Sequence, residues 1–242
     1  MTYAASLSNF LAMFGLRIVN KKPYRTDYFV RESKRLMQPI QHQYDKLIGE
    51  YPTAADMRKA VENQALFVEM VHWLGLEKSR PLRILDIGGR GGLFAYYCKM
   101  YGHDSYVSDL PGVLSVSPNK ELLELLQVKS LDLMIKPFSP TDTRGLKFDL
   151  VTGFRTRFHS RLPFETGKQH EEHWGIPEWR YFLHDLSRNN LSDSGQIFFM
   201  LNRLQEREKV DYVPAELEKY FKSVGGRLRQ NFLYFPTTAN ID

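Results

Sequence analysis

An α/β fold, built as a mostly parallel sheet with helices on both faces, is what this sequence predicts, and three observations predict it. Short apolar runs alternate with helical periods from Arg83 to the C-terminal region. Four glycines, Gly88, Gly89, Gly91 and Gly92, stand between the first apolar run and the helix that follows it. An acid, Asp109, closes the next apolar run, about 20 residues beyond the turn, the spacing of a nucleotide-binding unit. Strands joined through helices run parallel, and a parallel sheet must be covered on both sides.

The elements before the sheet are helical. Leu7, Phe10, Leu11, Phe14 and Ile18 fall on one face of a helix. No basic residue precedes this stripe, and it is too short and interrupted to span a bilayer, so a secretory signal is not expected and a cytoplasmic location is. The first 40 residues hold seven Lys or Arg against Asp27 and Glu32, which is the whole net excess of +5 in the chain. Two readings of this segment stay open. One is an interfacial helix, with residues 5–35 in peripheral contact with an anionic membrane; the other is a lid packed on the body of the protein or on the second subunit of a homodimer. From Tyr28 to Leu76 the chain reads helical, broken at Pro39 and Pro52. Thr53 to Asp56 forms a capping box, and a long helix runs from Asp56 to Leu74 with Gly75 as its C-cap. Residues 1–78 are accordingly expected to be a helical segment or lid, and 79–242 the sheet domain.

The sheet begins with Ile84-Leu85-Asp86-Ile87, enters the glycine turn around Arg90, and continues into a helix over Leu93–Tyr101 closed by Gly102. A second strand covers Ser105–Ser108 and ends at Asp109-Leu110. A helix over Pro118–Val128 leads to a third strand, Leu131–Phe138, and Phe148–Phe154 is a fourth, introduced by Asp149. A long loop from Arg155 to Gly175 precedes a helix over Pro177–Asn190. Asp193-Ser194-Gly195 turns into a fifth strand, Gln196–Leu201, closed by Asn202. A helix over Pro214–Val224 and the Gly225-Gly226 turn lead to a last strand, Arg227–Phe235. That makes six strands.

A glycine turn opening a helix brings backbone N–H groups close to a bound phosphate or nucleotide. The dinucleotide pattern G-x-G-x-x-G fails here, because Arg90 and Leu93, or Phe94, stand where glycines are required. What Asp86-Ile87-Gly88-Gly89-Arg90-Gly91-Gly92 resembles is motif I of the class I S-adenosylmethionine-dependent methyltransferases, with Arg90 in place of the middle glycine. The helix, turn and strand from Pro177 to Asn202 are similar to a further segment of that family, with Ser194-Gly195 in place of its Pro-Gly-Gly turn. The resemblance covers roughly residues 80–202. It implies a Rossmann-like three-layer sandwich of seven strands, the last antiparallel, and S-adenosyl-L-methionine as cofactor.

The resemblance further implies roles for individual residues. Asp109, with Leu110 beside it, would hold the ribose. Asp86, Gly88, Gly89, Arg90 and Gly92 would contact the methionine part, Phe138 would lie at the adenine, and Gly153-Phe154 would complete the crevice at the carboxyl ends of the strands. The loop after the fourth strand carries substrate contacts in the family. Here His159 is the candidate base, Arg155, Arg157 and Arg161 a set able to bind a carboxylate or phosphate of an anionic acceptor, and Trp174 a wall of the substrate pocket.

Composition narrows the classes of function. Apolar content of 43% and charged content of 25% describe a globular chain. The single Cys98 excludes a disulfide framework within the chain. His170-Glu171-Glu172-His173 lacks the H-E-x-x-H spacing, so no metal centre is expected. Residues 41–242 are balanced in charge, so nucleic acid is not an expected partner. The reading is thus a methyltransferase acting on an O or N nucleophile of a small-molecule acceptor, such as a natural product, a sugar or a lipid-linked intermediate. An RNA methyltransferase and a non-catalytic binding or scaffold protein of the same fold are the alternatives.

Overall fold

A computed structural model describes residues 26–51, 64–110, 112–156, 158, 173–201, 213–229, 231–236 and 241. Its centre is a seven-stranded sheet of order β3-β2-β1-β4-β5-β7-β6. The strands are β1 (Arg83–Ile87), β2 (Asp104–Asp109), β3 (Lys129–Asp132), β4 (Phe148–Thr156), β5 (Leu191–Leu201), β6 (Arg227–Arg229) and β7 (Phe232–Phe235). Strands β1 to β5 are parallel, and β7 runs antiparallel to both β5 and β6. This is the expected Rossmann-like sandwich, with its seventh strand present.

That strand comes from a correction. The apolar run read as one strand, Arg227–Phe235, is a tight hairpin of β6 and β7. Asn231 in its turn grips the end of β5: Leu201 N–H donates to the Asn231 carbonyl at 2.7 Å, and the Asn231 side chain returns a bond of 3.0 Å to the Leu201 carbonyl. The third strand is also shorter than expected, ending at Asp132, so that 133–147 form an irregular connection containing Pro137, which has no N–H to give a ladder.

Helices cover both faces. On one lie α1 (Thr26–Met37), α2 (Gln41–Glu50), α3 (Gln64–Trp73), α4 (Leu93–Met100) and α5 (Asn119–Leu126). Their buried residues, Phe29, Tyr44, Val71, Phe94 and Leu122 among them, form one core with Ile84 and Leu150 of the sheet. Tyr96 donates its hydroxyl to the Leu36 carbonyl and Tyr101 to Glu32, so the helical segment is bonded to α4 as well as packed on it. On the other face lie α6 (Ile176–Asp185), extended by a π turn over Leu186–Asn190, and α7 (Ala215–Ser223). Phe182, Leu183 and Phe221 there pack on Leu85, Val151 and Phe199.

β1 is buried over Ile84–Ile87 because both its faces are covered, and Asp86 is the one charged residue within that run. Asp149 explains why an acid introduces β4: its carboxylate accepts Arg83 N–H and the Ser192 hydroxyl, both at 2.9 Å, tying together the starts of β1, β4 and β5. The N-terminal apolar stripe and the capping box at 53–56 lie outside the described residues. Among the described residues no helix is long and apolar enough to cross a membrane.

Candidate functional site at the carboxyl edge of the sheet

The glycine turn is held from below by β2. Gly88 N–H and Gly89 N–H both donate to the Ser108 carbonyl, at 2.7 and 3.2 Å. Gly88 and Gly92 have φ of +72° and +75°, which L side chains avoid, and a Cβ at Gly92 would stand 2.9 Å from Leu123. Gly89 is a matter of space: a Cβ there would overlap the Asp86 carboxylate and lie 2.5 Å from Val107. The turn can approach a ligand closely because it carries almost no side chain, and it delivers the chain into α4, whose first N–H groups have no partner within the helix.

Arg90 is the departure. It adopts φ +46° without being glycine, and its side chain is exposed. Its backbone N–H donates to Asp109 Oδ2 at 3.3 Å, while Leu110 N–H donates to Asp109 Oδ1 at 2.8 Å. Arg90 N–H thus holds the carboxylate at the end of β2 against the turn, and Leu110 N–H, from the adjacent residue, orients it. A carboxylate has about four acceptor positions, so two remain open. Burial pushes the Asp109 pKa up, and the N–H donors oppose that shift. Asp132 ends β3 in register with Asp109, exposed, and Leu133 N–H bonds back to the Asp109 carbonyl. No sequence pattern marks Asp132 as special; its position beside Asp109 comes from strand register.

Several expected contacts lie elsewhere. Asp86 is only 2% exposed, beneath Gly89, and accepts the Thr152 hydroxyl at 3.0 Å, so it supports the turn from inside and presents no surface to a ligand. Its pKa is raised to about 7, chiefly by burial and further by the Asp109 charge, against the Thr152 bond. Gly153 is buried as well, and a Cβ there would meet the Thr156 hydroxyl oxygen at 2.9 Å and Phe199 at 3.1 Å. Thr156 folds back over Gly88 and Gly153 and donates to the Ile87 carbonyl at 3.0 Å, joining the ends of β4 and β1. Phe154 turns towards the helical segment, 4.5 Å from Phe94 and 6.0 Å from Phe67 between ring centroids. These three rings form an aromatic wall beside the glycine turn. Glu69, on the same helix as Phe67, has its pKa raised to about 7 by burial, with a bond to Trp73 acting against the shift.

Two aromatic expectations are corrected. Trp174 is a core residue, 4% exposed, whose indole is packed on Phe158, Trp179 and Phe182 among the described residues. Phe138 packs edge-on against Tyr181 of α6 and not against the turn, because the chain leaves β3 six residues earlier. Arg155 belongs to β4, and its side chain, with Arg157, His159, Arg161 and the stretch His170–Glu172, lies outside the described residues.

No protein-family model and no curated protein matches this chain. Solved structures do. A TehB-like SAM-dependent methyltransferase from Corynebacterium glutamicum aligns at 14% identity over 80% of this chain and 96% of its own, with a TM-score of 0.44. A 1,6-didemethyltoxoflavin-N1-methyltransferase from Burkholderia thailandensis aligns at 15% identity over 80% and 87%, with a TM-score of 0.45. The T. thermophilus rRNA methyltransferase RsmC aligns at 19% identity over 72% of this chain but 42% of its own, with a TM-score of 0.42.

Proposed function

We propose that this chain is an S-adenosyl-L-methionine-dependent methyltransferase acting on an O or N nucleophile of a small-molecule acceptor. The observation that carries the proposal is the coupling of a side-chain-poor turn to a carboxylate at the end of the next strand, through Arg90 N–H to Asp109 and through Gly88 and Gly89 N–H to the Ser108 carbonyl. The residues present fit the cofactor. Gly88, Gly89 and Gly92 form a cradle that a Cβ would fill or strain, and Asp109 keeps two acceptor positions for a pair of vicinal hydroxyls. Asp132 beside it suits an exocyclic amine as donor.

The sulfonium supplies an already activated methyl group, so the chain has to position and shield more than to activate. The N–H groups opening α4 suit an anionic carboxylate. Phe67, Phe94 and Phe154 keep water from one side, which strengthens every polar contact within the crevice. Transfer needs the nucleophile in line and near 3 Å, so acceptor orientation is the larger share of the work, on the order of the effect of an intramolecular reaction. We assign the acceptor contacts to Arg155, Arg157 and Arg161 and the proton transfer from a hydroxyl acceptor to His159.

Calorimetric titration with S-adenosylmethionine tests the reading. Wild-type protein binds, and Asp109→Ala binds more weakly by roughly 1–3 kcal/mol, the scale for charge-assisted hydrogen bonds. Wild-type protein giving neither heat nor a thermal shift would leave a binding or scaffold protein of the same fold. Unchanged affinity in the variant would remove Asp109 from the ribose role.

A further inference from the structure

The connection 133–147 lies along α6 and is stitched to it at four points. The Phe138 and Tyr181 rings meet edge-on with centroids 6.0 Å apart. Thr141 N–H donates to Asp185 at 2.7 Å, the Thr143 hydroxyl donates to Asn190 at 2.8 Å, and Lys147 donates to the Arg188 carbonyl at 2.9 Å. A groove of about 460 Å³ follows this seam, lined by Phe138, Ile176, Pro177, Arg180, Tyr181 and His184. We propose that this seam binds single-stranded nucleic acid, a site separate from the carboxyl-edge crevice.

Three features converge on that ligand. The first is charge. Arg180 and His184 stand one turn apart on α6, Arg180 exposed with its guanidinium over the Tyr220 ring, and Arg188 follows in the π turn. Across the seam Lys136, Arg144 and Lys147 are exposed. The two segments hold five Lys or Arg (Lys136, Arg144, Lys147, Arg180 and Arg188) against Asp142, Glu178 and Asp185, a net of 5 − 3 = +2. Each of these carboxylates is turned to a local donor: Asp185 to Thr141 and Asn189, Glu178 to Gly175 N–H, and Asp142 to Arg144 N–H. The balanced charge beyond residue 40 is an average that conceals this track.

The second feature is the ring. Phe138 sits at φ +54°, a backbone state that an aromatic residue seldom takes, and its side chain is 56% exposed. Among the described residues the ring packs on Tyr181 and joins neither core cluster, so the strained backbone serves to present it beside the groove. The third is shape. Phe138, Ile176, Pro177 and Tyr181 line a recess of a size to receive a planar group. The exposed cations Lys136, Arg144 and Lys147 are not among the residues lining the groove, so positive charge continues along the connection beyond it. An unstacked base in the recess, with successive phosphates along the cations, satisfies all three.

Fluorescence anisotropy of the full chain with a labelled oligouridylate tests the proposal. With about four phosphates neutralised, affinity falls roughly 50-fold between about 50 and 200 mM salt. Phe138→Ala and the pair Lys136→Glu with Arg144→Glu each weaken binding at least about fivefold, at an unchanged thermal midpoint. Phe138→Gly, which accepts the positive φ, gives the same loss and guards against a misfolded alanine variant. Binding of oligothymidylate with the same variant pattern also supports the seam. Four outcomes overturn it: no binding, binding unmoved by these variants, uridine monophosphate binding as tightly as the oligomer, or variant-sensitive binding to phosphatidylserine vesicles without binding to the oligomer.

Discussion

Replacing Asp86 with Asn tests the internal support of the glycine turn, and its size follows from the structure. The carboxyl is buried under Gly89, with the Thr152 hydroxyl as its hydrogen-bond donor and the Asp109 carboxylate nearby. Its pKa rises from 3.8 to about 7 on folding, so the folded state holds the proton more tightly than the unfolded chain. The contribution of this group to stability is therefore greatest below pH 3.8, shrinks as pH rises towards 7, and is fully lost above that. At about 1.4 kcal/mol per tenfold difference in proton affinity, the loss at pH 8 is about 4 kcal/mol as an upper bound. Asn has the same shape, accepts the Thr152 hydroxyl and never ionises. Asp86→Asn should therefore stabilise the ligand-free protein more at pH 8 than at pH 5.5, by at most about 4 and about 2 kcal/mol respectively, less a pH-independent cost for burying the carboxamide NH2. In a chain of this size each kcal/mol moves the melting midpoint roughly 2–4 °C. Urea denaturation of both proteins across that pH range measures the difference directly. A gain independent of pH, or a destabilised variant at pH 8, would show that the ionised carboxylate is already compensated and would refute this account.

Other perturbations follow from the same geometry. Gly89→Ala forces a methyl group against Asp86 and Val107, and should cost about 1–3 kcal/mol in urea titrations while abolishing S-adenosylmethionine binding in calorimetry. Phe154→Ala removes the middle ring of the wall with Phe94 and Phe67, and should lower stability by about 3–5 kcal/mol in the same titrations. Thr152→Val leaves the buried carboxyl without its donor, costs about 1–3 kcal/mol near pH 8 and less near pH 5.5, and a pH-independent cost would contradict the Thr152–Asp86 bond.

Much of the fold was legible because the signals are local. The apolar run before Gly88, the turn itself, the helix over Leu93–Met100 and the acid ending β2 depend on neighbours within a few residues, as do the helices over Ile176–Asp185 and Ala215–Ser223. The hairpin hidden in Arg227–Phe235 was not legible, because no Gly or Pro marks its turn; what fixes it is Asn231 bonding the end of β5, some 30 residues away in the chain. The site was legible in part. The glycine turn and Asp109 could be read from residue types, whereas Asp132 and Thr156 could not, since an acid or a threonine at a strand end carries no pattern of its own.

The sequence alone determined the alternation of strands and helices from β1 to β5 and the presence of a turn nearly stripped of side chains ahead of an acid, because periodicity and turn chemistry act between near neighbours. The tertiary structure decided which side chains face the crevice. It buried Asp86 and Trp174 and carried Phe138 to α6, because the direction a side chain faces is set by elements packed against it from distant parts of the chain.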